Sequence, residues 1–346
     1  MGNVRTNNED NLYCAGVTLT PETRLLPFSM TGETAAPCAF AVCDGMGGQE
    51  DGEFASLTAV SALTELDAAV KGATPDTIDS IVQEYVTKVN GAICNKMIEK
   101  SVRIGTTLAL IIITPESIKP YNIGDSRIYN LTGGKLSQIS EDHTLTAQKV
   151  SMGVLSAEQA KRDRDRHRLT RYLGIFEDEM VIEAEPLETL PTNENRRLLI
   201  CSDGLTDMLP DYRIEKLLNG AAISDAANLL VGEALAAGGK DNTTCIVIDI
   251  DVDKKTDVNA NVSADMQADV NANVSANIQA DVNAIERANV NANLYANTNL
   301  ASPEPMQVKK QSAPVRIFMM VVRLFKNIPS HIRKLIRRVA PNRGKK

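Results

Sequence analysis

Four short acidic motifs in the first 250 residues could bind a metal ion. They are Glu9-Asp10, Asp44-Gly45, Asp203-Gly204 and Asp241-Asn242. Three of them adjoin an apolar run that is typical of a β-strand. Carboxylate oxygens are the ligands that hard divalent cations prefer, and glycine lets the backbone come close to a bound group. The sequence therefore predicts a carboxylate-bound metal centre and metal-assisted chemistry.

The first two motifs also allow a structural interpretation. Arg5, followed by Glu9-Asp10, could bind a phosphate through its forked donors beside two metal-shell carboxylates, or the group could be a solvated charge cluster at the chain terminus. Asp44 could bridge two metals while Gly45 offers its carbonyl oxygen. Alternatively, these two residues form an ordinary Asp-Gly turn.

The later motifs are open in the same way. Asp125 could be a metal ligand or the partner of Arg127 in a structural ion pair, and for Arg127 we favour the structural role. Asp203 and Asp241 could each form a turn with a helix cap or an Asx bond. Each could equally deliver a carboxylate to one site from a different strand. No single motif is decisive, but the four acidic motifs together with Asp125 on one chain favour a shared site.

Strands and helices alternate through residues 1–250 and would position these groups. Residues 39–43 are a short buried strand that ends at Asp44. Residues 144–168 are polar and helix-prone, and we expect a mobile surface insertion there. Apolar and β-branched runs predict further strands at 106–113, 121–123, 127–131, 135–139, 198–201 and 245–250. Apolar stripes at helical spacing predict helices at 57–70, 74–97, 211–218 and 223–237.

The charge is divided unevenly along the chain. Residues 309–346 carry 12 Lys and Arg and no acidic residue, which leaves 25 basic against 44 acidic residues in the remainder. An acidic body does not favour nucleic acid as the main partner. Six cysteines without a CxxC pair are typical of an intracellular protein without disulfides. With three histidines in the chain, a His/Cys zinc site is not expected.

The composition changes after the last predicted strand. Residues 252–308 form a low-complexity linker, within which residues 257–300 divide into Asn- and Ala-rich tetrads. A period of four matches neither helix nor strand, so we favour a loosely structured spacer over a repeat fold. Residues 309–346 form a basic amphipathic tail, predicted as two helices separated by Pro329. It suits an anionic membrane surface or an acidic partner, and the alternative is a solvated tail.

Seven segments in a fixed order resemble the bacterial type 2C metal-dependent serine/threonine protein phosphatases (the PPM family). They are GNVRTNNED, AVCDGMGGQEDGEFAS, GTTLALIII, YNIGDSRIYNLTGGKLSQISEDHTL, LTRYLG, LLICSDGLTDML and GGKDNTTCIVI. The resemblance covers residues 2–250. It implies an α+β fold, a four-layer αββα sandwich of two antiparallel sheets flanked by helices. The catalytic domain would span residues 1–251, with residues 145–168 as its flap.

The resemblance also implies a ligand set for two Mn²⁺ or Mg²⁺ ions. Asp44 would bridge the two ions, and Gly45 would add its carbonyl oxygen to the first. Asp203 and Asp241 would hold the second ion, and Asn242 would orient Asp241.

Further residues take their expected roles from the same resemblance. Arg5 would bind the substrate phosphoryl group, Glu9 would fix a water molecule of the metal shell, and Asp10 would support that shell. Asp125, with Asp203, matches the place of a weaker third metal. The family's first strand usually precedes the Gly-x-x-Arg motif, so with almost nothing before Gly2 we expect a weaker first sheet and a less firmly held Arg5.

The expected activity is hydrolysis of phosphoserine and phosphothreonine in phosphorylated protein substrates by metal-activated water. The enzyme would oppose a bacterial serine/threonine kinase as a cytoplasmic monomer, with the basic tail as a peripheral contact to the inner membrane face. The alternative is a catalytically weak, phosphatase-like regulator that binds phosphoproteins. A second enzymatic alternative is a relative of the sporulation and stress-response phosphatases. The LTRYLG segment fits the kinase-opposing branch of the family better than this alternative.

Overall fold

The structure, a computed structural model, describes residues 2–20, 28–47, 51–252 and 315–323. All of them belong to one of the two units into which the chain divides, Met1–Asp253 together with Ser312–Lys346. The predicted linker lies outside the described residues except at Val252, which ends a strand.

Fourteen strands are present in the described part of the chain. They are β1 (Asp10–Cys14), β2 (Val17–Thr18), β3 (Phe28–Ala35), β4 (Cys38–Met46), β5 (Gly105–Thr106), β6 (Leu108–Ile113), β7 (Ser117–Ile123), β8 (Arg127–Thr132), β9 (Lys135–Gln138), β10 (Glu185–Pro186), β11 (Leu190–Pro191), β12 (Arg196–Cys201), β13 (Thr244–Val252) and β14 (Val315–Arg323). The helices are α1 (Asp51–Lys71), α2 (Ile78–Lys100), α3 (Leu145–Ser151), α4 (Ala157–Ala160), α5 (Asp203–Thr206), α6 (Asp211–Gly220) and α7 (Ile223–Ala236).

The strands form two antiparallel sheets. The first has the order β10-β7-β6-β4-β1-β2, with β11 paired to β7 and β5 paired to β4. The second has the order β3-β14-β13-β12-β8-β9. The strands predicted between residues 121 and 139 do not lie in one sheet, because β7 belongs to the first sheet and β8 and β9 to the second.

Central strands are buried on both faces, which explains their continuous apolar sequences. In β4, Phe40 and Val42 belong to the core between the two sheets, whereas Ala41 and Cys43 pack in the core that contains α1 and α2. In β12 and β13, alternate residues pack either between the sheets or in a third core with α6 and α7. The three cores separate four layers, and this confirms the predicted αββα sandwich.

The segment Val315–Arg323 corrects the prediction of amphipathic helices in the basic tail. It is a strand, β14, which pairs with β13 from Thr244↔Arg323 to Val252↔Val315 and with β3 from Phe28↔Arg323 to Ala35↔Arg316. Two flanking strands offer hydrogen-bond partners to both edges of this segment, and its β-branched valines and isoleucine favour a strand. The part of the predicted tail after Arg323 lies outside the described residues.

Two further findings concern the cysteines and the length and polarity of the helices. All six cysteines are buried and free. Among the residues that the structure describes, no helix has the length and apolar character needed to cross a membrane.

Candidate metal centre

Asp10 and Asp44 lie side by side at one end of the first sheet. They face each other in the antiparallel pairing of β1 with β4. Leu12 and Val42, two residues away in each strand, belong to the core between the sheets. Because side chains alternate along a strand, both carboxylates face the second sheet.

The second sheet supplies carboxylates at the same end. Asp203 is the first residue of α5, directly after β12 and Ser202, and Asp241 lies in the loop that precedes β13. The Oγ of Ser202 donates to Asp10 Oδ2 at 2.9 Å, and Thr244 Oγ1 donates to the same oxygen at 2.6 Å. These bonds join the two sheets where the predicted ligands converge.

The electrostatics of Asp44 show how close these groups are. Its pKa is raised well above the ordinary value, first by burial and then by the carboxylates of Asp10, Asp203, Asp241 and Asp125. The backbone of Asp44 is fixed by Thr107, whose Oγ1 accepts from Asp44 N–H at 2.9 Å and whose N–H donates to Asp44 O at 2.9 Å. Asp44 is therefore rigidly held in a crowded negative environment.

Asn242 connects the N-terminal segment to the loop before β13. Its Oδ1 accepts from the backbone N–H of Glu9 at 2.8 Å, and its Nδ2 donates to Asn7 O at 3.0 Å. Its own N–H donates to Asp241 Oδ1 at 2.8 Å. Asn3 adds a bond from its Nδ2 to Gly238 O at 2.7 Å. Asn242 thus contacts the Asp241 side chain through its backbone N–H, whereas its own side chain fastens the N-terminal segment over the site.

Arg5 and Glu9 lie at the exposed rim of this arrangement. The guanidinium of Arg5 donates to Asp241 Oδ2 at 2.7 Å, and the Arg5 side chain is 55% exposed. Burial raises the pKa of Glu9 to about 7, with Asp241 and Asp10 adding to the shift and Arg5 opposing it. Both groups are thus placed where a phosphoryl group and a water molecule could reach them.

Two glycines allow the backbone segments of the site to touch. A Cβ at Gly45 would lie 2.1 Å from Gly52 O and 2.7 Å from Glu9 O. A Cβ at Gly204 would lie 1.8 Å from Asn242 O. The glycines of the Asp-Gly motifs are therefore required by close packing of the loops, in addition to any approach of a bound ion.

Asp125 completes the predicted group and brings a residue that sequence analysis missed. Asp125 is 9% exposed, and burial together with Asp203 and Asp142 raises its pKa. One ligand atom from each of Asp125, Asp203 and His167 lies within 4.8 Å of the others. His167 comes from the charged end of the segment predicted as the flap. The available sequence signal was the run of charged residues around His167. The spacing of these residues did not single out His167 as part of the site.

The flap itself consists of α3, α4 and the turns that follow. Lys149, in α3, connects this helix to the turns that follow α4 by donating hydrogen bonds to Asp163 and Asp165, each at 2.6 Å. Arg127 takes the predicted structural role, but its partner is Asp142, to which it donates at 2.8 and 2.6 Å, and not Asp125. A groove of about 1350 Å³ runs between α3, α4 and α6 and reaches His167 and the carboxylates of the second sheet.

The side chains present fit divalent cations. Asp44 has no ion pair among the described residues, although the carboxylates of Asp10, Asp125, Asp203 and Asp241 all act on it. Burying several carboxylates together is unfavourable unless protons or cations neutralise them. Oxygen ligands in this number suit Mn²⁺ or Mg²⁺.

Comparison with known proteins agrees with this geometry. The family described as protein phosphatase 2C matches residues 28–228, more than half of the chain. The serine/threonine phosphatase stp of Listeria monocytogenes is 32% identical over 218 residues, which cover 62% of this chain and 85% of that protein. The serine/threonine protein phosphatase PstP of Mycobacterium tuberculosis is 34% identical over 254 residues, which cover 72% of this chain but 43% of PstP.

Solved structures show the same similarity. The crystal structure of the Mycobacterium tuberculosis phosphatase PstP is 31% identical, with a TM-score of 0.58, and the match covers 72% of this chain and 94% of that one. The catalytic domain of PstP in complex with two manganese ions is 30% identical, with a TM-score of 0.57, over 72% of this chain and 93% of that one. On the family match and the shared fold, the chain belongs to the protein phosphatase 2C family of metal-dependent protein serine/threonine phosphatases.

Proposed function

We propose that this chain removes phosphate from phosphoserine and phosphothreonine in proteins, using Asp44, Gly45, Asp203 and Asp241 to hold two Mn²⁺ or Mg²⁺ ions. The observation that carries the proposal is the convergence of carboxylates from both sheets on Asp44, which raises its pKa. The relative whose structure contains two manganese ions supports the choice of metal. When bound, the ions would supply Lewis-acid polarisation and a hydroxide source near neutral pH.

The chain's own residues would arrange the reaction around those ions. Arg5 exchanges its contact with Asp241 for the phosphoryl oxygens of the substrate, because a guanidinium fork matches a phosphate. Glu9 would hold the attacking water in place, because its half-buried carboxyl group lies beside Asp10 and Asp241. Asp10 would support the metal shell, since its Oδ2 accepts from Ser202 and Thr244 and so positions the strand ends beside Asp44.

The test is turnover of a phosphothreonine peptide by the full chain with Mn²⁺. Chelation should stop the reaction and added Mn²⁺ should restore it. Asp44→Asn and Asp203→Asn should each lower turnover by at least about 100-fold while the circular dichroism spectrum stays unchanged. Activity that survives thorough chelation, or near-normal turnover by either variant, would contradict the proposal. The same assay distinguishes the enzyme from the alternative, a non-catalytic regulator, which would bind the peptide without turnover.

The finer assignments of partner and place are also proposals. We infer that the enzyme opposes a bacterial serine/threonine kinase, since its bacterial relatives are named serine/threonine phosphatases. We also infer that it acts in the cytoplasm, a reducing compartment that suits six free cysteines. It would act as a monomer, because the two sheets of one chain already bring together the carboxylates that the proposed site needs. Sedimentation of the Mn²⁺-loaded chain tests this, and a dimer at assay concentration would contradict it.

The membrane proposal now concerns residues 324–346, because Val315–Arg323 is a strand of the second sheet. The segment 324–346 carries eight Lys and Arg and no acidic residue. Each basic residue near an anionic surface contributes about 1 kcal/mol of attraction. Flotation with phosphatidylserine vesicles should carry the full chain and leave behind a form that ends at Arg323. Equal flotation of both forms removes the membrane contact.

A further inference from the structure

The loop that carries Asp241 is held at both ends by elements that lie against β14. This loop, residues 237–243, connects α7 to β13. Within it, Asp241 is a proposed metal ligand and accepts a hydrogen bond from Arg5 at 2.7 Å. Both α7 and β13 lie against β14, and β13 pairs with β14 along its whole length. The strand β14 therefore supports the two elements between which the Asp241 loop is held.

One end of β14 reaches the metal centre. Arg323, its last residue, lies opposite Thr244, whose Oγ1 donates to Asp10 Oδ2 at 2.6 Å. Val315, its first residue, lies opposite Val252 at the other end of β13, and residues 253–314 connect the two strands there. Because the connection lies at the opposite end, backbone pairing holds the Arg323 end of β14 beside the metal centre.

The alternation of hydrogen bonds shows which residue of β14 holds the start of β13. Ser202 N–H donates to Thr244 O at 3.0 Å, and Thr244 N–H donates to Ser202 Oγ at 3.1 Å, so the backbone of Thr244 is bonded on the β12 side. Successive residues of a strand turn their backbone groups to opposite sides, and Cys245 therefore bonds to its partner in β14, Val322. By the same alternation Phe318 also bonds to β13, but farther from the metal centre.

Resting on the proposed function, we propose that the Val322–Arg323 end of β14 is a positioning element of the metal centre. Its pairing fixes the start of β13, where the Asp241 loop ends and where Thr244 donates to Asp10. The affinity for the ion that Asp241 would hold then depends on a strand that follows the long connection. Groups that support metal ligands from outside commonly act in this way, by fixing the ligands without touching the ion.

The competing interpretation is that β14 stabilises the second sheet as a whole and has no specific effect on the metal centre. In that case, the loss of one backbone bond to β13 should have the same consequence at either end of the strand. If β14 positions the metal centre, the bond near Thr244 should matter for Mn²⁺ binding and the bond farther along should not. The position of the lost bond along β14 therefore separates the two interpretations.

The experiment removes one backbone donor at a time from the full chain and measures equilibrium Mn²⁺ binding by calorimetry. Val322→Pro and Phe318→Pro each remove an N–H that bonds to β13, whereas Val322→Ala and Phe318→Ala keep it and serve as matched controls. Relative to its alanine control, Val322→Pro should weaken Mn²⁺ binding about 10-fold or more, and Phe318→Pro should change it by less than about twofold. Circular dichroism measures the folded fraction of each variant.

Amide hydrogen exchange of the metal-free wild-type chain provides a second measurement that does not require any variant to fold. If β14 holds the start of β13, an opening that exposes the Val322 N–H also frees the Thr244 N–H from Ser202 Oγ. The Thr244 N–H should then be no better protected from exchange than the Val322 N–H.

The outcomes separate this inference from the function on which it rests. Equal weakening of Mn²⁺ binding by the two proline variants, or unchanged binding in Val322→Pro, would overturn the positioning role of β14. A Thr244 N–H that stays protected while the Val322 N–H exchanges would also overturn it. In each of these cases the wild-type chain would still turn over the phosphothreonine peptide. Failure of the proposed function appears instead as an absence of Mn²⁺-dependent turnover in the wild-type chain.

Discussion

Asp10 lies directly opposite Asp44 in the pairing of β1 with β4, and its Oδ2 accepts hydrogen bonds from Ser202 and Thr244 in the other sheet. One acidic side chain therefore ties the two sheets together beside the proposed bridging ligand. Because these bonds are buried, they fix the distance between strand ends that carry different metal ligands.

The bond from Thr244 to Asp10 should be important for stability. Thr244→Val keeps the shape and removes the donor, and we expect a loss of about 1.5–3 kcal/mol in the free energy of unfolding, the usual range for a hydrogen bond to a charged group. Urea denaturation of the metal-free chain measures it. Thr58→Val, which removes a local bond within α1, is the control. A loss below about 0.5 kcal/mol would show that Asp10 does not depend on this hydroxyl.

Asn242 should matter for catalysis although it touches no proposed substrate group. Asn242→Ala removes its bonds to Glu9 N–H and Asn7 O, so the segment that carries Arg5 and Glu9 loses its anchor. We expect kcat/KM to fall about 10–100-fold, as for other residues that support metal ligands. Asn219→Ala, which removes bonds to Gly134 and Glu215 away from the site, should leave the rate unchanged. A change of less than about twofold in Asn242→Ala would refute the anchoring role.

Because the loops pack closely at Gly204, replacing this glycine by alanine should cost much more stability than the same change at Gly232. In Gly204→Ala the new Cβ would lie 1.8 Å from Asn242 O, so loop backbone must move, and we expect a loss of about 3 kcal/mol or more. In Gly232→Ala, within α7, the Cβ meets nothing within 4 Å, and the change should be neutral or stabilising by up to about 1 kcal/mol. Thermal unfolding compares the two. Similar melting temperatures would contradict the packing argument.

The pKa of Glu9, raised to about 7, predicts a pH dependence in the metal-free chain. The pKa of Glu9 in the unfolded chain is about 4.3. At pH values between this pKa and the pKa in the folded chain, the folded chain binds more protons than the unfolded chain. Stability should therefore fall as pH rises through this window, and Asp44 and Asp125 add to the fall because burial and like charges raise their pKa values too.

Urea titrations at pH 5 and pH 7.5 measure this effect. We expect Glu9→Gln to reduce the loss of stability between the two pH values. The control is Glu65→Gln. In the wild-type chain the exposed carboxylate of Glu65 pairs with Lys88 on the surface. Mn²⁺ should stabilise the chain more at pH 7.5, where the carboxylates are ionised. A metal-free chain that gains stability over this interval would refute the argument.

The strand β14 predicts that part of the tail belongs to the folded domain. A chain that ends at Gln311 loses the strand between β3 and β13, whereas a chain that ends at Arg323 keeps it. We expect the shorter form to lose at least about 2 kcal/mol, or about 4–8 °C in Tm, relative to the longer one. Equal melting temperatures of the two truncated forms would show that β14 does not contribute to the sheet.

The sequence was sufficient to predict Asp44 near the end of a strand, although β4 continues to Met46, and Asp203 after another strand, because a short apolar run followed by Asp-Gly is a local pattern. It was also sufficient for α1 and α2 and for the buried strands β6, β12 and β13, whose apolar periods differ between helix and strand. The family resemblance supplied the four-layer arrangement. It also supplied the metal-ligand roles, which stay proposals.

Contacts between distant segments were decided by tertiary structure alone. The pairing of Asp10 with Asp44, the two hydroxyl donors to Asp10, and the position of His167 between Asp203 and Asp207 each depend on which strand edges and loops meet. The same holds for β14: its basic, amphipathic sequence predicted helices, but the open edges of β3 and β13 made a strand the better solution. Local sequence sets the period of an element, whereas the partner that satisfies its backbone and side chains is a property of the whole fold.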